Sequence, residues 1–260
     1  HIVMLFLLTA ALWLYVKRRP VASGIVLASA TALKIYPILF VLYLVRKKQW
    51  RATLSLMAGT CCFGVAHLLL FGRNATRALV VEVLPRAIRG EDIDPYSVGW
   101  NSLTALLRRL FIAEPELNPI PLLHSPFLYA ILQPLLSAVL VVVFLWFACW
   151  PSANKDDEKF QWGAFVALLL LVSPHPASYQ FCALILTAVL VTDYLLKQRL
   201  RTRTATVIVL YALVCLPLAH FSPAAPSGWR TLLAFPRLYA MLLLCFYLLA
   251  AALYVAPTSS

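Results

Sequence analysis

The sequence predicts an all-helical, polytopic membrane protein, and three observations carry that prediction. Of its 260 residues, 62% are hydrophobic and 12% are charged, whereas soluble domains average about 45–50% and about 25%. The mean hydropathy is +0.85. The apolar residues form long runs, and the basic residues fall in short clusters between them. One soluble core cannot hide that much apolar surface, which excludes an ordinary soluble enzyme, a disordered tail and a secreted disulfide scaffold.

The apolar runs lie at roughly 1–16, 21–45, 52–72, 126–150, 160–172, 177–196, 204–221 and 235–256, which gives seven to eight membrane segments in one integral membrane domain, 1–260. A spanning helix needs about 20 residues. Run 1–16 begins at His1 with its basic cluster behind it, the reverse of a signal peptide. It reads as the end of a longer helix in a fragment that has lost its N-terminal part. Run 21–45 has basic residues on both flanks and is interrupted at Lys34-Ile35-Tyr36-Pro37. A single span would place one basic cluster outside, against the positive-inside tendency. A re-entrant hairpin turning at Lys34–Pro37 keeps both clusters inside, and it is the expected arrangement. Pro37 supplies the break by removing a helix bond.

Run 52–72 then goes out, and 73–125 is an extracytoplasmic loop with six arginines, six acids and no lysine. One clear helix is expected in it. Asn101 or Ser102 caps it, and Leu103, Leu106, Leu107, Leu110 and Phe111 share one face, as in a helix on a membrane surface. Run 126–150 returns. Segment 151–159 is a cytoplasmic connection, and the short run 160–172 ends in Ser173-Pro174-His175-Pro176. The basic loop 197–203 is cytoplasmic, 222–234 is outside and the C-terminus is inside. The six cysteines (Cys61, Cys62, Cys149, Cys182, Cys215, Cys245) all fall in apolar runs and read as small core residues. The net charge of +12 marks loops and not a nucleic-acid surface, since no recognition motif accompanies it. No metal-ligand spacing occurs, and no cofactor is expected.

Three groups are candidates for chemistry. Lys34 sits inside an apolar run, where an ammonium costs about 2.5–3.5 kcal/mol. It either holds a phosphate or carboxylate in an internal cavity or snorkels and pairs internally. Asn101, Ser102, Arg108 and Arg109 either bind an anion or sugar hydroxyls, or cap the helix and touch lipid headgroups. His175, Tyr179 and Gln180 lie at a proline-bounded break and either orient a substrate or proton or form a structural turn. Glu91-Asp92-Ile93-Asp94-Pro95 offers a base or metal site, but reads first as a solvated turn. Asp193, His67, His124 and His220 read as interfacial.

Taken in order, three segments resemble glycosyltransferase family 87, whose members include polyprenyl-phosphate-sugar-dependent mannosyltransferases, and the wider glycosyltransferase C superfamily. They are Leu33-Lys34-Ile35-Tyr36-Pro37 with the basic Arg46–Arg51 cluster, Gly99-Trp100-Asn101-Ser102-Leu103 with Leu106-Leu107-Arg108-Arg109-Leu110, and Leu171-Val172-Ser173-Pro174-His175 with Tyr179. The resemblance spans most of 17–196. It implies a multi-pass inverting transferase of the bacterial inner membrane. Such an enzyme uses a polyprenyl-phosphate-linked sugar on the extracytoplasmic side, a lipid or glycan acceptor, and a carboxylate base in an N-terminal loop that this chain lacks. Lys34, Tyr36, Asn101, Ser102, Arg108, Arg109, His175, Tyr179 and Gln180 are then substrate contacts, and the catalytic residue stays unassigned. The chain departs from the family in Trp100-Asn101-Ser102, where many members have Asn-Gln-Ser, and in Tyr179, where many have His. A transporter or flippase of lipid-linked sugars is the alternative, and an envelope assembly protein a third. Neither of these needs the base.

Overall fold

The computed structural model describes residues 2–91, 93–148, 154–176, 178–216 and 227–255. Among these residues it is a helical bundle with no β-strand, as the composition requires. The helices are α1 (Ile2–Val16), α2 (Pro20–Leu33), α3 (Phe40–Arg46), α4 (Trp50–Ala78), α5 (Leu84–Arg89), α6 (Leu103–Phe111), α7 (Pro126–Ala148), α8 (Lys155–Val172), α9 (Leu184–Lys197), α10 (Arg201–Cys215) and α11 (Pro236–Val255).

Helix α8 is the centre. Every residue from Phe160 to Leu171 is buried, which only a helix apolar on all sides can sustain. Trp162 packs against Phe40, Tyr15 and Tyr43, with ring centroids 4.4, 5.5 and 5.8 Å away. The sequence suggested a helix from about 160 after a polar connection. Instead the helix begins at Lys155, because Asn154 accepts bonds from the Asp156 and Asp157 N–H groups and the Asp157 carboxylate accepts one from the Asn154 N–H.

All three basic clusters lie at one end of the bundle. Arg18 pairs with Glu158 at 3.1 Å, Lys197 with Asp156 at 3.1 Å, and the Tyr194 hydroxyl donates to Asp157 at 3.0 Å. These contacts gather the α1–α2 turn, the start of α8 and the end of α9. The α3–α4 turn joins them because α2 and α4 run parallel. Gly24 abuts the backbone of Ala52–Leu56, and Gly59 abuts the Ala28 Cβ. The segment between two parallel neighbours must double back. It does so at Lys34, where α2 stops, followed by the 3-10 turn Tyr36–Leu39 and the returning α3.

The three turns share one geometry. Arg18, Lys48 and Arg199 have φ of 58°, 55° and 59°. In each turn the next N–H reaches back to a helix carbonyl: Arg19 to Leu14, Gln49 to Leu44, and Leu200 to Leu195. This is the Schellman end, whose left-handed position usually belongs to glycine.

By length and composition, three helical stretches among the described residues can cross a membrane, Trp50–Arg89, Pro126–Phe147 and Gln180–Lys197, or four if the bent pair Gly228–Ala234 and Pro236–Ala251 is one span. Seven to eight membrane segments were expected, and other apolar runs form shorter helices, Ile2–Val16, Pro20–Leu33 and Tyr36–Arg46. The cysteines also differ from expectation. Cys245 is buried, but Cys61, Cys62 and Cys215 are exposed; Cys149 lies outside the described residues. Cys61 and Cys62 sit on an exposed face of α4, where hydropathy alone cannot separate a lipid-facing residue from a core one.

Candidate functional site

At the end opposite the basic turns the polar segments converge. Helix α4 breaks at Gly72 (φ 80°, ψ 176°), and the His67 ring meets the Thr76 hydroxyl across the bend at 3.0 Å. The chain stays helical through a π-turn, Leu79–Val83, and α5, so 73–125 holds more than the single expected helix. Helix α5 ends in a fourth Schellman turn, this time with a glycine: Gly90 has φ 69° and the Glu91 N–H donates to the Arg86 carbonyl at 2.8 Å. A Cβ on Gly90 would stand 3.1 Å from the Pro174 Cβ and 3.3 Å from the His175 Nε2. The missing side chain is what lets the loop close on the break after α8.

That turn sets Glu91 between two arginines. Arg108 Nη2 donates to it at 2.8 Å and Arg89 Nε at 2.8 Å. Arg108 also donates to the Tyr129 hydroxyl at 3.2 Å and lies over the Tyr129 and Tyr96 rings, 5.1 and 5.9 Å from their centroids. Burial pushes the Glu91 carboxyl up, but the bonds from Arg108 and Arg89 outweigh it and hold the group below its ordinary value. Burial likewise opposes the Arg108 charge, and Glu91 and Tyr129 more than restore it. Glu91 is therefore not the solvated turn residue expected from sequence.

The apolar face of α6 is covered by the chain itself. Ala105, Leu106, Leu107 and Leu110 are buried, and the helix packs on α7 and the 3-10 turn Gly228–Ala234. Ser102 caps it by accepting from the Ala105 N–H at 3.0 Å. Its arginines are turned inward, not laid on a headgroup layer: Arg108 as above, and Arg109 with its Nε on the Tyr96 carbonyl. Burial lowers the pKa of Arg109.

Beside this pair stands a second group. The Trp100 ring packs on His175 with centroids 4.8 Å apart, and its Nε1 donates to the Asp94 carbonyl at 2.7 Å. Asn101 is left-handed (φ 48°) and 4% exposed. Its amide nitrogen donates to the carbonyls of Val98 at 3.0 Å and Gly99 at 3.4 Å, which fixes the orientation of the amide. The Asn101 Oδ1 is thereby left buried with no hydrogen-bond partner. Gln180 repeats the pattern. Its nitrogen donates to the His175 carbonyl at 3.1 Å, and its Oε1 is buried and unsatisfied. Two buried acceptors flank one aromatic stack, and each lacks the donor that burial normally demands. A ligand rich in hydroxyls supplies such donors.

Lys34 and Tyr36 lie at the break between α2 and α3. Lys34 is half-buried at the end of α2, and Tyr36 neighbours Cys182 of the 3-10 turn Ser178–Ala183. Tyr179 falls on that turn, but its side chain, Asp92 and His220 lie outside the described residues. His124 accepts from the Ala113 N–H at 3.1 Å, and Asp193 pairs with Lys197 at 2.7 Å on the basic end. Tyr129 and Gly90 are the site residues that sequence reasoning passed over, and Glu91 was weighed but read as a solvated turn residue. Only Gly90 left a trace, as a glycine just after an amphipathic, arginine-ended stretch.

A family model described as glycosyltransferase family 87 matches residues 1–174. The matched stretch includes Lys34, Tyr36, Asn101, Ser102, Arg108 and Arg109 and stops one residue short of His175. No curated protein and no solved structure matches the chain.

Proposed function

The chain belongs to glycosyltransferase family 87 and is a membrane glycosyltransferase; from that premise we propose that it moves a hexose, mannose foremost, from a polyprenyl-phosphate donor to a lipid or glycan acceptor. The polar end of the bundle faces away from the cytoplasm, because three basic turns mark the other end as the inner one. We assign the chain to a bacterial inner membrane on the family resemblance alone.

The observation that carries this reading is the pair of unsatisfied amide oxygens on Asn101 and Gln180 beside the Trp100–His175 stack. Sugar hydroxyls satisfy both, and the indole offers a flat apolar face to a sugar ring. In the reaction the acceptor oxygen attacks the anomeric carbon. The carbon–oxygen bond to phosphate breaks, and polyprenyl phosphate leaves with the electron pair. The acceptor proton passes to a carboxylate. Glu91 is ill suited to that task, because two arginines hold it ionised and an acid of low pKa is a weak base. Its role is to position Arg108, whose charge favours the departing phosphate. Lys34 and Tyr36, at the break between α2 and α3, act on the donor as well.

The test is transfer from a mannosyl polyprenyl phosphate by membranes carrying the full chain. Asn101→Ala and Gln180→Ala should each raise the half-saturating donor concentration about tenfold, the equivalent of one good hydrogen bond. Absence of transfer by the wild-type chain, or unchanged saturation in both variants, overturns the reading.

A further inference from the structure

Arg237 is the second residue of α11 and is 6% exposed. It lies beyond the stretch that matches the family. Its Nη2 donates to the Leu216 carbonyl at 2.9 Å, and its guanidinium sits over the Phe181 ring, 5.3 Å from the centroid. These contacts hold the fork against one wall of a cavity of about 150 Å³, lined by Phe181, Cys182, Tyr211, Val214, Cys215 and Arg237. That volume equals about five waters of bulk size.

Three features suit the cavity to an anion. Arg237 is the one Lys, Arg, Asp or Glu among the six lining residues, so the guanidinium sets the potential inside. A guanidinium binds tetrahedral oxyanions through two parallel N–H bonds, and the Tyr211 hydroxyl can donate a third. Leu213 and Leu216, exposed chain neighbours of the lining residues Val214 and Cys215, offer an apolar surface along which an acyl or prenyl chain can lie. A charge placed among apolar helices is costly and marks function by default.

We propose that this cavity is a second anion site, distinct from the Asn101–His175 group, which takes a phosphate oxyanion carried on a lipid or free in solution. The Ser178–Ala183 turn connects the two sites. It gives Gln180 to the first, and Phe181 and Cys182 to the second.

The probe is dodecyl phosphate, added to the full chain in uncharged dodecyl maltoside. Alkylation of Cys215, followed by peptide-resolved mass spectrometry, reads the cavity directly. Dodecyl phosphate should slow that alkylation about tenfold at saturation and leave Cys61 and Cys62 unaffected. Arg237→Gln should raise the half-saturating concentration about tenfold, the loss expected for a charge-assisted hydrogen bond. Arg237→Lys, which keeps the charge without the fork, should fall between. Should Arg237→Gln fail to fold, Tyr211→Phe takes its place with a smaller shift in the same direction. Protection by inorganic phosphate at the same concentration assigns the site to free phosphate; protection by dodecyl phosphate alone assigns it to a lipid. No protection of Cys215, or equal protection in the folded Arg237→Gln variant, overturns the proposal. Dodecyl phosphate carries no sugar, so either result is independent of whether the chain transfers one.

Discussion

At the basic end of the bundle, Arg18, Lys48 and Arg199 take left-handed conformations in three helix ends with the same hydrogen-bond pattern. At the polar end the same turn recurs after α5, but with Gly90 in the left-handed position. A non-glycine residue there costs about 1–2 kcal/mol. The basic turns accept that cost at exposed residues, where a charged side chain has room. The polar turn cannot accept it, since the space beyond Gly90 is already filled by Pro174 and His175. The contrast extends to charges. Inner-end pairs such as Lys197–Asp193 are half-exposed and worth little, whereas Arg108 is 12% exposed and held by a carboxylate and two rings. At one end the strained residues and the Lys197–Asp193 pair are exposed; at the other, strain and pairing fix the packing of Gly90, Glu91 and Arg108 against their neighbours.

Substitution at Gly90 should produce the sharpest separation of the two ends. Gly90→Val combines the left-handed penalty with a clash against His175, and transferase turnover should fall about a hundredfold or more, as misplacements of about 1 Å can cause. A value within threefold of wild type would dissolve the distinction. A matched pair comes next. Lys48→Gly and Asn101→Gly relieve the same backbone strain, but only the second removes a buried amide. The Asn101 variant should lose about tenfold in transfer, while the Lys48 variant keeps full activity.

Acid provides a third way to sharpen the comparison. Glu91 has a folded-state pKa below its ordinary value of 4.5. Its stabilising contribution is complete above that value and is lost as pH falls through the lowered folded pKa. The thermal midpoint in detergent should therefore decline below pH 4.5 in the wild type. Arg108→Gln should flatten that decline and cost about 1–3 kcal/mol at neutral pH by leaving a half-buried carboxylate with one partner. The smallest effect belongs to Lys48→Gly, a gain of about 1 kcal/mol seen as a higher midpoint at neutral pH.

Much of the inner end was legible. Basic clusters between apolar runs are a one-dimensional signal, and the expected doubling-back at Lys34–Pro37 followed from charge and one proline. The start of α8 was written too, in Asn154 and Asp157, but Lys155-Asp156-Asp157-Glu158-Lys159 looks like a loop until its capping bonds are counted. The polar end was harder. Asn101, Ser102 and His175 stood out as polar residues at helix ends. Glu91 was noticed but read as a solvated turn residue, because its partner Arg108 is 17 residues away, and pairing at that distance depends on a turn that composition does not disclose. The exposed cysteines were misplaced for a different reason: in a bilayer, the outside of the protein is also apolar.

The parallel packing of α2 on α4 also constrains how the protein is made. Helix α2 has 14 residues and is about 21 Å long, short of a hydrocarbon core of about 30 Å. Its close seat is on Ala52–Leu56 and Gly59, which leave the ribosome after it. During synthesis α2 and α3 must wait in or beside the translocon as an unfinished pair. They can settle only when α4 arrives to receive them.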